Sequence, residues 1–233
     1  TAGALMLGLA MMTDMWTTGS AILRDWVEGI RFPDAFVQDL NGLSEEDRAR
    51  VEGLDFVAGA SAITLMRIDA NVFGLEQLER PPTFFVAFEP GPFFEMTRLN
   101  WEAGDPAYAM RRLEEGGAVI VAKEFIIARA GYKIGDTFVV TNQGERYPFE
   151  IVGAVSSPGL DVVGYGFALG RGYAEMAIGT VFGSRADLKR VFKTDAVHLL
   201  QLGYSRDIPD KEAATRIRGA LAKPTALVGS GRE

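Results

Sequence analysis

The fold turns on Gly116-Gly-Ala-Val-Ile-Val-Ala-Lys-Glu-Phe-Ile-Ile-Ala-Arg-Ala-Gly-Tyr-Lys-Ile-Gly-Asp-Thr137 and on the return segment Tyr147-Pro-Phe-Glu-Ile-Val-Gly-Ala-Val155. Its paired glycines stop a preceding helix, and Ala118 to Val121 is an uninterrupted apolar strand. A helix is expected from Lys123 to Ala130, closed by Gly131. Gly135-Asp136-Thr137 then leads into the strand Phe138 to Thr141, and Asn142-Gln-Gly144 turns the chain back along Tyr147 to Val155.

Working outward toward the N-terminus, Asp105-Pro106 starts the helix that those glycines end, with Asp as N-cap and Pro at the first helical position. Thr83 to Phe88 reads as a strand beyond Pro81-Pro82. Asp34 to Leu40 alternates like a strand and Asn41-Gly42 is expected to turn it. Ser44-Glu-Glu-Asp47 caps a short polar helix ending near Gly53, and residues 57 to 69 complete a β-α-β unit. Toward the C-terminus, residues 156 to 175 carry glycine at 159, 164, 166, 170 and 172 and read as a long loop. Met176 to Phe182 resumes as strand, Ser184-Arg-Ala-Asp187 repeats the cap, His198 to Tyr204 is a strand, and Pro209 opens a last helix. Two β-α-β units flanking a β-rich middle make the expected class α+β.

With 48% hydrophobic and 24% charged residues among 233, the chain can bury a substantial core, and disorder is excluded for most of it. A net charge of -7 and the lack of a Lys/Arg run exclude nucleic acid as a partner. Cysteine is absent and histidine occurs once, which removes disulfides, thiolate chemistry and His- or Cys-based zinc sites. His198 is the one residue through which a hydrolase could work, yet no Gly-x-Ser-x-Gly elbow supplies a nucleophile. Glu114-Glu115 ends a helix and reads as solvated. Glu45-Glu46-Asp47 is the acidic first turn of a helix, which suits its dipole. The glycines from 164 to 172 lack the Lys-Ser/Thr of a phosphate loop and the spacing of a dinucleotide fingerprint. The reading therefore assigns no catalytic, cofactor-binding or metal residue and no cofactor. Leu160, Val163, Tyr165, Phe167 and Leu169 make the glycine-rich loop a candidate docking surface for a partner.

At the start, Ala4 to Met12 is an uncharged apolar run, too short to span a bilayer. Met12, Trp16, Gly19, Leu23, Trp26 and Ile30 then recur at alternating four and three spacing, the stripe of a single long helix. Asp14, Arg24, Asp25 and Glu28 fall on the opposite face. A Trp just past an apolar run sits where a helix leaving a membrane places an aromatic ring. Residues 1–31 are thus expected to be the outer end of a transmembrane helix continued as a stalk.

The Gly131-Tyr-Lys-Ile-Gly135-Asp136-Thr137 motif, with its flanking strands and the Phe149 to Val155 strand, resembles the periplasmic core domain of MacB-like and FtsX-like ABC transporter permeases. Phe32-Pro-Asp34, the helix at Ser44, Asp105-Pro106 and Ser184-x-x-Asp187 extend the likeness. The resemblance implies a non-catalytic extracytoplasmic domain on a cell membrane, held between two transmembrane helices. It implies a porter-like part over residues 32–79 and 176–223, an inserted β-rich sabre-like part over 80–160, a Gly-rich loop at 161–175, and a tail at 224–233 leading to the next membrane helix. The partners it implies are a cytoplasmic ATPase subunit, a second permease in a homodimer or heterodimer, and an extracytoplasmic adaptor, lipoprotein or hydrolase. Such a domain docks a partner or substrate and transmits motion driven by the ATPase. A solute-sensing or ligand-binding domain is the alternative, and a hydrolase using His198 the third.

Overall fold

A computed structural model of the chain describes residues 33–70, 83–128, 132–156 and 180–231. The expected helix over residues 1–31 and the loop 161–175 lie outside them.

Among the described residues, ten strands join in one hydrogen-bonded system. They are β1 (Ala35–Leu43), β2 (Val57–Ala70), β3 (Thr83–Phe88), β4 (Asn100–Ala103), β5 (Ala118–Ala122), β6 (Thr137–Asn142), β7 (Glu145–Ser156), β8 (Thr180–Ser184), β9 (Val197–Tyr204) and β10 (Leu227–Ser230). The helices are α1 (Glu45–Glu52), α2 (Pro90–Met96), α3 (Pro106–Glu115), α4 (Lys123–Ala128), α5 (Arg185–Phe192) and α6 (Asp210–Ala220). The molecule is thus a mixed α/β fold in which both ends of the described chain contribute to one sheet.

At one end the strands run in the order β10-β1-β9-β2, every pair antiparallel. With α1 following β1 and α6 following β9, this is the split β-α-β arrangement of a ferredoxin-like sheet, interrupted between β2 and β9. Both helices lie on one face. Val51 of α1 and Ala213 and Ile217 of α6 are buried in one cluster with Val37, Ala62, Leu200 and Leu202 of the strands.

The other end closes on itself. β2 pairs with β3, β3 with β8, β8 with β5, β5 with β7, β7 with β6, and β6 returns to β2 through Asp69↔Thr141 and Ala70↔Val140. That circuit is a six-stranded barrel whose interior holds Phe85, Phe138, Phe149 and Ile151, with Phe125 of α4 and Leu188 and Val191 of α5 packed with them. Fourteen-residue β2 serves both bodies: residues 57–63 pair with β9 and residues 63–68 with β3. On the opposite face, α2 and α3 cover a third cluster of Phe88, Phe93, Leu113, Ile120 and Val152, which takes in Ile63 and Leu199.

Local sequence explains most of these elements. Ser44 caps α1 by accepting from the Asp47 amide, and Asp47 answers through the Ser44 amide, as the Ser-x-x-Asp spacing requires. Ser184 and Asp105 cap α5 and α3 by accepting from the Asp187 and Tyr108 amides. One expectation is corrected. Asn41-Gly42 does not turn the chain: both residues stay in β1, where the register to β9 shifts between Gln38 and Leu43 and Gly42 takes φ +89°. Of the strand expected from Met176 to Phe182, residues 176–179 lie outside the described residues, and Thr180 to Phe182 fall in β8. Three elements went unassigned from sequence: α2, where Pro90 occupies the first turn in which a missing N–H costs nothing, and the short strands β4 and β10.

Candidate functional site

The expected docking residues Leu160, Val163, Tyr165, Phe167 and Leu169, and the stripe Met12, Trp16, Leu23, Trp26 and Ile30, lie outside the described residues. What the described residues bring together is a polar seam on the helix-bearing face, between the ferredoxin-like core and the barrel core. Along β2 that face reads Ala60, Ala62, Thr64, Met66, Ile68. The first two belong to one apolar cluster and the last two pack with the other, so Thr64 marks the boundary.

Arg185 reaches this boundary from the first turn of α5. Its Nη1 donates to Thr64 Oγ1 at 2.7 Å and to the Ala196 carbonyl at 2.9 Å, and Nη2 donates to the Asp195 carbonyl at 2.9 Å. A cation in the first turn opposes the helix dipole, so the long-range bonds must supply what the local position does not. Burial pushes its guanidinium below the ordinary value, and neighbouring Arg48 adds to that against the pull of Glu89.

Arg48 of α1 makes the second bond across the seam. Nη1 and Nη2 grip both oxygens of Glu89, the residue preceding α2, at 2.7 and 3.0 Å, and Nε donates to Glu52 at 2.7 Å. Burial disfavours the Arg48 charge, but the two carboxylates outweigh it and hold the guanidinium above its ordinary value. Glu89 also accepts from the Ala62 amide at 3.2 Å, so one carboxylate ties α1, β2 and the start of α2.

His198 lies on the same row, half-buried. Its Nδ1 accepts from the Leu65 amide at 3.3 Å, leaving Nε2 as the protonated nitrogen. Burial depresses its pKa and Arg185 reinforces this, while the Leu65 bond and Asp39 oppose it. No hydroxyl is hydrogen-bonded to His198 among the described residues, so the one histidine is engaged in holding β9 to β2. Among those residues no group of three or more His, Cys, Asp or Glu could hold a metal ion. No described helix is long and apolar enough to cross a membrane.

The second feature is a junction. Ala35 is paired with Ser230, and the Gly231 amide donates to the Asp34 carbonyl at 3.0 Å. The chain thus comes into β1 and leaves β10 side by side. A side chain at Gly231 would collide with the Pro33 carbonyl, so glycine is what permits the two backbones to cross this closely.

Neither feature was singled out from the sequence. The signal for the seam is present in retrospect, because Arg185 puts a cation at the first helical position, inside a Ser-x-x-Asp cap whose other residues obey the rules.

By sequence the chain matches no protein-family model and no curated protein. By structure it is similar to the periplasmic region of MacB from Actinobacillus actinomycetemcomitans, with TM-score 0.56 and 10% identity over 88% of this chain and 92% of that one. It is similar, with TM-score 0.56 and 14% identity, to the extracellular domain of the noncanonic ABC-type transporter YknZ from Gram-positive bacteria, over 85% of this chain and 99% of that one. The fold is that of a MacB-like periplasmic domain.

Proposed function

We propose that the chain is the extracytoplasmic domain of an ABC transporter permease, without chemistry of its own, which docks a partner or substrate and transmits conformational change driven by a separate ATPase. The observation that carries this reading is the junction. Flanking segments that start at Pro33 and Gly231 would leave the domain as an adjacent pair, and any displacement of one against the other would load β1 against β10 directly.

In this reading residues 32–79 and 176–223 are the porter-like part, which takes in β1, β2 and β9 of the ferredoxin-like sheet, and residues 80–160 are the inserted, sabre-like part, which takes in β3, β5, β6 and β7 of the barrel. The polar seam is where the two would shift relative to each other, since bonds to Arg48 and Arg185 can be exchanged with less loss than interdigitated apolar packing. The stripe Met12, Trp16, Leu23, Trp26 and Ile30 is the stalk that couples the domain to the membrane. The loop bearing Leu160, Val163, Tyr165, Phe167 and Leu169 is the contact for an extracytoplasmic adaptor, lipoprotein or hydrolase. The transporter itself is a homodimer or heterodimer of permeases.

The 233 residues hold no cysteine, so with any cysteine elsewhere in the parent protein replaced, a single one placed at the exposed Leu227 reports its location cleanly. In the full-length parent protein, Leu227→Cys is expected to react with a membrane-impermeant maleimide in intact spheroplasts. Labelling that requires lysis would overturn the extracytoplasmic assignment.

A further inference from the structure

On the face covered by α2 and α3, three buried side chains have polar atoms without any hydrogen-bond partner: the hydroxyls of Ser61 and Thr97 and both amide atoms of Gln201. Ser61 and Gln201 are fully buried, and Thr97 is 1% exposed. A buried polar group left bare forfeits its hydration with nothing in return, and native proteins pair nearly all of them. Three in one region call for a common cause.

Two of the three face each other, and the third adjoins the helix turn that packs on the same strand pair. Ser61 of β2 and Gln201 of β9 are directly opposed in register, so both point to the same face. Two residues along on that face lie Gly59 and Gly203, again opposed. A Cβ at Gly203 would stand 3.3 Å from the Met96 sulfur, which puts the last turn of α2 over this strand pair, and Thr97 follows Met96 directly. Gly59 and Gly203 are half-buried, and a Cβ at Gly59 would meet nothing within 4 Å, so open space lies between the buried polar pair and the surface.

We propose that β2, β9 and the last turn of α2 enclose an internal water site, whose ligand set is Ser61 Oγ, Thr97 Oγ1 and the Gln201 amide. The chemistry fits. Side chains of opposed strand residues stand beside each other on one face, and two polar atoms that do not bond each other directly can each reach one water at about 2.8 Å. Internal waters take about three bonds each. The set offers two hydroxyls able to donate or accept, one carbonyl and one NH2, and carries no charge that would select an ion instead.

The test combines a direct and an energetic readout on the 233-residue chain. NOEs between water and the Gln201 side-chain amide protons are expected, of opposite sign in laboratory-frame and rotating-frame spectra as for a long-lived bound molecule. Ser61→Ala, Thr97→Val and Gln201→Met, made singly, are each expected to lower the melting temperature by about 2–4 °C, with the triple variant losing less than the three single losses together. If the groups are dry and unpaired, the water NOE is missing and each apolar replacement raises the melting temperature. Either of those results overturns the site. Ser61→Ala removes one atom only, so a folded variant remains for comparison if the larger changes fail.

Discussion

Asp47 offers the sharpest test of how the ferredoxin-like end is held together. Its carboxylate is 1% exposed and accepts from the Ser44 hydroxyl at 2.6 Å, the Ser44 amide at 3.2 Å, Arg50 Nη2 at 2.8 Å and the Ala222 amide at 3.2 Å. The last of these lies just past α6, so one side chain both caps α1 and pins the end of the other helix on that face. In Asp47→Ala the cap contributes about 1 kcal/mol. The bond to Ala222, from a charged acceptor and leaving a donor unpaired when lost, contributes about 2–3 kcal/mol. The Arg50 pair adds less than about 1 kcal/mol, because that guanidinium is 38% exposed and screened. The expected loss is about 3–5 kcal/mol, or roughly 6–20 °C in melting temperature for a chain of this size. Thermal unfolding followed by circular dichroism measures it, with Arg50→Ala as the control for the ion pair alone. The acidity gives a second handle. The Ser44 hydroxyl, then Ala222, the Ser44 amide and Arg50, hold the Asp47 carboxyl well below its ordinary 3.8, against the opposing effect of burial. Its stabilisation is therefore fully present above about pH 4 and is lost as pH falls through the folded value. The gap between wild type and Asp47→Asn should narrow below that pH. A loss under about 2 °C in Asp47→Ala, or a gap that stays constant in acid, would refute the reasoning.

For His198 the folded pKa lies below the ordinary 6.5, so the unfolded chain binds the proton first and stability declines as pH drops from about 6.5 toward the folded value. His198→Gln should flatten that part of a denaturation-midpoint versus pH curve, and an unchanged slope would count against it. Arg48→Ala leaves Glu89 without its two-pronged partner and should cost about 1–3 kcal/mol by urea denaturation, and Arg48→Lys should recover only part of it, since an ammonium cannot grip both oxygens. Gly183→Ala places a methyl 2.5 Å from the ring tip of Phe85, one of the barrel's packed side chains. A loss of about 1–3 kcal/mol is expected, and a variant as stable as wild type would show that the barrel has slack to repack.

What the sequence discloses is what short-range chemistry encodes. Ser44, Asp105 and Ser184 announce three helix starts, and Asn142-Gln-Gly144 the β6–β7 hairpin, because caps and tight turns are settled within four residues. Gly42 was misread because φ > 0 serves a bulge as well as a turn, and only the β9 partner, more than a hundred residues away, decides between them. The short strands β4 and β10 carry too few residues for periodicity to register, and β10 is a strand only because β1 lies beside it. The seam is hidden for the same reason. Thr64, Glu89, Arg185 and His198 are unremarkable singly, and their relation exists only once β2, β9 and α5 converge. The candidate docking and stalk residues were legible as patterns of spacing, and they remain expectations.

The pairing of β1 with β9 and β10 bears on how the protein is made. Phe36 pairs with Gln201, roughly 165 residues later, so at about 5–20 residues per second β1 waits on the order of 8–30 s for its first partner while the chain is synthesised. The strands of the barrel are emitted consecutively between the two halves of the split sheet, and can begin to pair in that interval. A strand edge held open so long is exposed to wrong partners, and β1 begins with three consecutive apolar residues, Ala35-Phe-Val37. The capped helix α1, which needs only its own eight residues and Ser44, is the structure available to shelter it meanwhile.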